Sequence, residues 1–155
     1  MRVIQGENDL LLTCTAVSDG IAILRCETQD DTVTLPSEIN GAPVTQLGPY
    51  APSERAPDLS GRETFAVRIT CGGPEPVHDA NAIRAVTLPT ALQSVGSYAF
   101  YNCRRLETIT LPQTVTDFGG GALMNCRALH TVVLRAAPDA PTRLPKLLGG
   151  HAGEL

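Results

Sequence analysis

Cys71 and His78 lie seven residues apart, with Glu63, Glu75 and Asp79 around them. These are metal-ligand types, but a zinc site takes about four such ligands, usually at tighter spacing. The plainer expectation is an inert loop thiol and a surface imidazole. Nucleophile and phosphate chemistry find less support. There is no Gly-x-Ser-x-Gly elbow, no Walker-type loop and no His-Glu-x-x-His helix. Gly119-Gly120-Gly121 has the composition of a phosphate loop, but no Lys follows it. The five cysteines are odd in number and form no Cys-x-x-Cys pair, so reduced thiols are expected. No catalytic residue, metal or cofactor is assigned. An enzyme or metal site in the 52–82 loop stands as the minor alternative, since loops on rigid scaffolds carry function. Recognition chemistry is better served. Arg84, Glu107 and His130 recur 23 residues apart, each leading into a Thr-bearing run with Thr87, Thr108, Thr110 or Thr131.

The elements that position these residues are written as a repeat. Ile83 to Arg105 and Leu106 to Ala128 carry the same pattern, and Leu129-His-Thr-Val-Val-Leu134 opens a third copy. Leu88/Leu111/Leu134, Pro89/Pro112, Gly96/Gly119, Ala99/Ala122, Asn102/Asn125 and Cys103/Cys126 keep the register. A fixed period in the range of about 20–29 residues with a Leu-x-x-Ile-x-Leu core signals a leucine-rich repeat solenoid. Within a copy, Ile109 and Leu111 alternate and so point to one side of a short strand. Pro112 has no N–H and is expected to end the ladder. Val115 and Phe118 return to the core, and Gly96 and Gly119 permit a bend. Ala99-Phe100 and Ala122-Leu123 fill a back wall of loops and turns. Cys103 and Cys126 stack coil on coil, pointing the same way, as free buried thiols.

The pattern Leu-x-x-Ile-x-Leu-Pro-x-x-Leu-x-x-Ile-Gly-x-x-Ala-Phe-x-x-Cys resembles the bacterial BspA-like leucine-rich repeat. The match is strong over Ile83–Leu134 and fair over Thr32–Ala51, with Pro52 where Phe is expected and Leu123 in place of Phe. The resemblance implies a protein-interaction or adhesion module, sometimes at the cell surface. It implies no catalytic residue.

The rest of the chain is less regular. Leu10–Val17 and Ile21–Cys26 read as a hairpin around Ser18-Asp19-Gly20. Whether Cys14 and Cys26 face each other is open by one residue of turn length. Thr32-Val-Thr-Leu-Pro36 begins a divergent first coil, with residues added around Asn40-Gly41-Ala42-Pro43 before Leu47-Gly48-Pro49-Tyr50-Ala51 resumes the pattern. Terminal repeats are expected to be atypical. Pro52 to Asn81 is rich in Pro, Gly and charge, with one β-prone run, Glu63–Thr70. The expected organisation is a single α/β-type, right-handed leucine-rich repeat domain. It has a hairpin cap (1–31), a first coil (32–51), an insertion loop (52–82), regular repeats (83–134) and a tail (135–155). In the tail Arg135–Pro141 is a breaker run, Arg143–Leu148 a short helical cap and Gly149–Leu155 frayed.

Hydrophobic residues at 43% and charged residues at 18% suit a globular core, and 4% aromatics make that core aliphatic. A net charge of −4 argues against a nucleic-acid partner. No apolar run has the length of a signal peptide or membrane span, so a cytoplasmic location is expected, or the cell surface if the chain is a fragment. The expected function is non-enzymatic binding of a protein or peptide on the concave strand face. Arg84, Thr87, Glu107, Thr108, Thr110, His130 and Thr131 are the candidate contacts. The alternative is a structural fragment of a longer repeat or adhesion protein.

Overall fold

The computed structural model describes residues 1–135 and 148–155. In chain order the strands are β1 (Arg2–Gln5), β2 (Leu10–Val17), β3 (Gly20–Thr28), β4 (Thr32–Thr34), β5 (Glu38–Ile39), β6 (Ala42–Leu47), β7 (Phe65–Thr70), β8 (Ala85–Thr87), β9 (Ser94–Val95), β10 (Thr108–Pro112), β11 (Asp117–Phe118) and β12 (Thr131–Arg135). A front sheet runs β12-β10-β8-β4, all parallel. Its rungs follow the sequence period: Val33, Val86, Ile109 and Val132 align, and so do Thr34, Thr87, Thr110 and Val133. Val33, Val86 and Ile109 are buried while the residues beside them are exposed or half-buried, the alternation of a one-faced sheet. Val132 is 40% exposed, because among the described residues no later coil lies over it. β10 runs through Pro112, which sits opposite Arg135. The ladder therefore ends one residue later than the proline predicts.

A second sheet takes the order β1-β7-β2-β3-β6-β9-β11, with β5 paired to β6. β6, β9 and β11 are the return strokes of successive coils, with Leu47, Val95 and Phe118 in register. The back wall expected at Ala99-Phe100 and Ala122-Leu123 is built of turns, and the short parallel strands lie just before it, a pairing the sequence reading did not include. Gly96 N–H donates to Leu47 O and Gly119 N–H to Val95 O, so the ladder continues where the apolar side chains enter the core. The role assigned to these glycines changes as well. A Cβ on Gly96 would lie 2.7 Å from Gly48 C, and one on Gly119 2.7 Å from Gly96 C. They set how closely coils stack, and neither needs a positive φ.

The hairpin β2–β3 closes through Ser18-Asp19, with Val17 opposite Gly20. A register shift at Thr13/Cys14 puts Cys26 opposite Leu12 and Cys14 opposite Ile23. The two thiols are therefore on different rungs, buried and free. β3 lies parallel to β6, and β7 inserts between β1 and β2, so the β-prone run of the 52–82 segment is a sheet strand. The front sheet ignores that segment: β4 pairs directly with β8, Thr32 opposite Ala85. At its outer edge Asn8 acts like a strand, its amide donating to Thr32 O at 2.7 Å and accepting from Thr34 N–H at 2.9 Å. One aliphatic core runs from Leu10 to Leu129, with Phe100 fully buried.

The tail departs from its predicted fraying. Leu148 packs against the core, and Ala152–Glu154 form a 3-10 turn bonded to the last coil. Of the breaker run expected at Arg135–Pro141 and the helical cap at Arg143–Leu148, residues 136–147 lie outside the described residues, while Arg135 is the last residue of β12.

Candidate interaction surface

The residue just before each front strand occupies one structural position. Arg84 and Ala85 N–H donate to Asp31 O, Glu107 and Thr108 N–H to Arg84 O, and His130 and Thr131 N–H to Glu107 O. Asp31, Arg84, Glu107 and His130 therefore line one edge of the front sheet. The signs run acid, base, acid, imidazole. His130 Nε2 is 3.8 Å from Glu107 Oε1, with both side chains well exposed. Such a surface pair contributes at most about 1 kcal/mol. His130 Nδ1 is 2.7 Å from Thr131 Oγ1. Arg84, Arg105, Glu107 and Ala128 border an open hollow of about 310 Å³. Thr87, Thr108 and Thr110 are half-buried on the adjoining face, and Thr131 is exposed. The seven residues named from sequence thus lie on the front strands or at the residue leading into them. Asp31 was missed, although its signal was present: it precedes Thr32 as Arg84 precedes Ala85.

The two loop candidates do not come together. Cys71 donates its thiol to Asp9 Oδ2 at 2.9 Å. Asp9 also accepts from Thr70 Oγ1 at 2.9 Å and pairs with Arg68 at 3.0 Å. The Cys71 thiol, then Thr70 and Arg68, hold the Asp9 carboxyl at about 2, and the same contact pushes the Cys71 thiol up. Arg68 is itself buried and also donates to the carbonyls of Leu10, Ile69, Gly73 and Pro74. His78 is elsewhere. Its Nδ1 accepts from Thr28 N–H at 3.1 Å, so Nε2 carries the proton and donates to Ser53 O at 3.1 Å. Burial, then the neighbouring Arg25 charge, lowers the His78 imidazole below its ordinary value. Asp79 accepts from Asn81 N–H, starting the 3-10 turn Ala80–Ala82. Among the described residues no three metal-ligating side chains cluster.

The repeated cysteines make coil-to-coil contacts. Cys126 Sγ lies 3.1 Å from Phe100 O and Cys103 Sγ 3.7 Å from Pro52 O, carbonyls at matched positions of the preceding coil. Burial pushes the Cys126 thiol up to about 12 and raises Cys103 as well, so both are inert. A second feature escaped the sequence reading. All three tyrosines meet on the back wall. Tyr50 and Tyr98 stack at 5.6 Å, Tyr101 stands edge-on to both, and Arg55 lies 5.2 Å over the Tyr50 ring. Tyr50 and Tyr98 hold the same place after Gly48 and Gly96. The repeat alignment carries the stack, with rings above one another in consecutive coils.

Residues 78–139 match the family described as BspA type Leucine rich repeat region (6 copies). No curated protein matches the chain. Among solved structures, a leucine rich cell surface protein from Faecalibacterium prausnitzii A2-165 superposes with a TM-score of 0.54 at 18% identity, covering 78% of this chain and 29% of its own. The chain thus spans under a third of that protein's length, and the likeness is one of fold. A Treponema pallidum leucine rich repeat protein (TM-score 0.33, 18% identity, 91% and 93% covered) and the pneumococcal vaccine antigen PcpA (TM-score 0.40, 17% identity, 88% and 40% covered) are more distant in shape. The 23-residue grammar, the parallel front sheet and the family match agree over one stretch: residues 78–139 are a leucine-rich repeat region of the BspA type.

Proposed function

We propose that the chain is a binding module that takes a protein or peptide on the concave, open face of its front sheet, without catalysis. The alignment of Asp31, Arg84, Glu107 and His130 along one edge, beside rungs of Thr, supports this reading above any other observation. A row of alternating charge spaced by the strand separation (about 4.8 Å) selects a partner by complementary charge, while the Thr floor offers hydroxyls and methyls. The surface is short, so it suits a small interface below the roughly 800 Å² per partner of a standard complex. The solenoid is taken as right-handed, with the β2–β3 hairpin closing its N-terminal end.

Crosslinking capture with wild type and the Arg84→Ala/Glu107→Ala/His130→Ala triple variant tests the face. Loss of a captured species at an unchanged melting temperature supports it. Identical capture by both proteins counts against it. A cell-surface location is proposed with the same function: the F. prausnitzii protein is a cell surface protein, and among the described residues no helix here is long and apolar enough to cross a membrane. Neither observation supports a cytoplasmic site, and surface protease accessibility on intact cells tests the exterior one. A second reading, a structural segment within a longer repeat protein, draws on the 29% coverage of that neighbour.

A further inference from the structure

The back wall is polar along the stacking axis. Tyr98, Phe100 and Asn102 donate their N–H groups to Gly120 O, Ala122 O and Met124 O of the next coil, at 3.2, 2.9 and 3.0 Å. Every such donor points toward the C-terminal end and every acceptor toward the N-terminal end. A stack built this way leaves a row of N–H groups at one end and a row of carbonyls at the other. An α-helix has the same problem, and meets it with acids at the N–H end and bases at the carbonyl end.

Both rows are occupied here. The positions of the last coil that match Tyr98, Phe100 and Asn102 are Gly121, Leu123 and Asn125. One residue of the tail satisfies all three: Gly121 N–H donates to Glu154 Oε2 at 2.7 Å, Leu123 N–H to Glu154 Oε1 at 3.1 Å, and Asn125 N–H to Glu154 O at 3.0 Å. The two carboxylate oxygens and the backbone carbonyl take the places of three carbonyls from a following coil. His151 fixes the carboxylate, with Nδ1 2.8 Å from Oε2, and its ring stands edge-on to Phe118 at 4.9 Å. At the other end the carbonyls of Ala51 and Ser53 match Ala122 and Met124. Ala51 O accepts from Cys26 N–H of β3 at 2.8 Å and Ser53 O from His78 Nε2 at 3.1 Å, and the buried Arg25 guanidinium adds bonds to both, at 3.3 and 2.8 Å, and to Tyr50 O and Arg55 O.

The geometry points to a charge-capped solenoid: Glu154 is a carboxylate strap standing in for a missing coil at the N–H end, and Arg25 is its cationic counterpart at the carbonyl end. The strap covers a coil-stacking surface, which its release exposes.

Site-resolved hydrogen exchange on full-length variants tests this. In Glu154→Ala, exchange at Gly121 and Leu123 is expected to rise about 10-fold or more, the scale of a lost charge-assisted bond. Exchange at Tyr98 and Phe100, whose acceptors are untouched, stays as in wild type. Glu154→Gln keeps one carbonyl oxygen and turns an NH2 toward the other donor, so only one of Gly121 and Leu123 should lose protection. Unchanged exchange at both amides in both variants overturns the strap. For the carbonyl end, melting temperatures in the order wild type, Arg25→Lys, Arg25→Met are expected. Equal values for Lys and Met overturn a role for the charge.

Discussion

Cys71 is exposed, yet its proton is held by Asp9, so exposure alone misjudges its reactivity. The other four thiols are buried. A thiol reagent applied to native protein at pH 8 should therefore modify Cys71 alone, and slowly, whereas all five react in denaturant. Asp9→Asn removes the anion that raises the thiol and should speed native labelling at Cys71. Equal rates in the two proteins would show that the contact does not govern reactivity. The same residue sets an acid limit. A carboxyl lowered to about 2 from an unfolded value near 3.9 contributes stability that is complete above that unfolded value. That stability is lost as pH falls from about 4 toward 2, and Asp9→Asn should lack this component of acid unfolding. None of this was legible in the sequence. Asp9 and Cys71 are brought together by the pairing of β2 with β7, which no local pattern announces.

His78 belongs to the scale of elements, because it ties one to another. It joins Thr28 at the end of β3 to Ser53, where the 52–82 segment leaves the first coil, and Ser53 Oγ bonds on to Tyr101 O at 2.6 Å. Protonation would put a second N–H against the Thr28 N–H and a cation beside Arg25, with Glu27 giving only partial relief. Since the folded state lowers the imidazole below its unfolded value of about 6.5, folding favours the neutral ring. Stability is full above that value and declines as pH falls below it. Wild type should lose melting temperature between pH 7.5 and 5.5, and His78→Gln, which offers a neutral acceptor and donor, should lose less over the same interval. Parallel declines would assign the effect to other groups. Elements were read from sequence with uneven success for physical reasons. Front strands announced themselves through period-2 apolar residues at a fixed spacing. The β5–β6 hairpin was missed although Asn40-Gly41, with φ of 55° and 79°, is its turn signal. Treating those residues as added length hid a standard two-residue turn. β7 was seen as a β-prone run, but its partners are distant in sequence and leave no local mark.

Across the whole molecule, stability is a sum over neighbouring coils, so the spacing between coils controls cooperativity. Gly119 and Gly120 separate this effect from the general cost of altering a glycine. A methyl on Gly119 would press on the backbone of Gly96 and Ser97 in the preceding coil, whereas one on Gly120 meets nothing within 4 Å. Gly119 sits between two coils and cannot yield without moving one of them. Gly119→Ala should therefore destabilise by about 1–3 kcal/mol, as overpacking does. For a chain of this size each kcal/mol lowers the melting temperature by roughly 2–4 °C. Gly120→Ala should be neutral, or stabilise by up to about 1 kcal/mol through the unfolded chain, because its φ is not positive. Differential scanning calorimetry on the two single variants decides the matter. Equal losses would mean that both glycines act through local conformation, and coil spacing would then need another determinant. A loss confined to Gly119→Ala would tie the repeated glycine to the stacking distance that keeps Arg84, Glu107 and His130 in line.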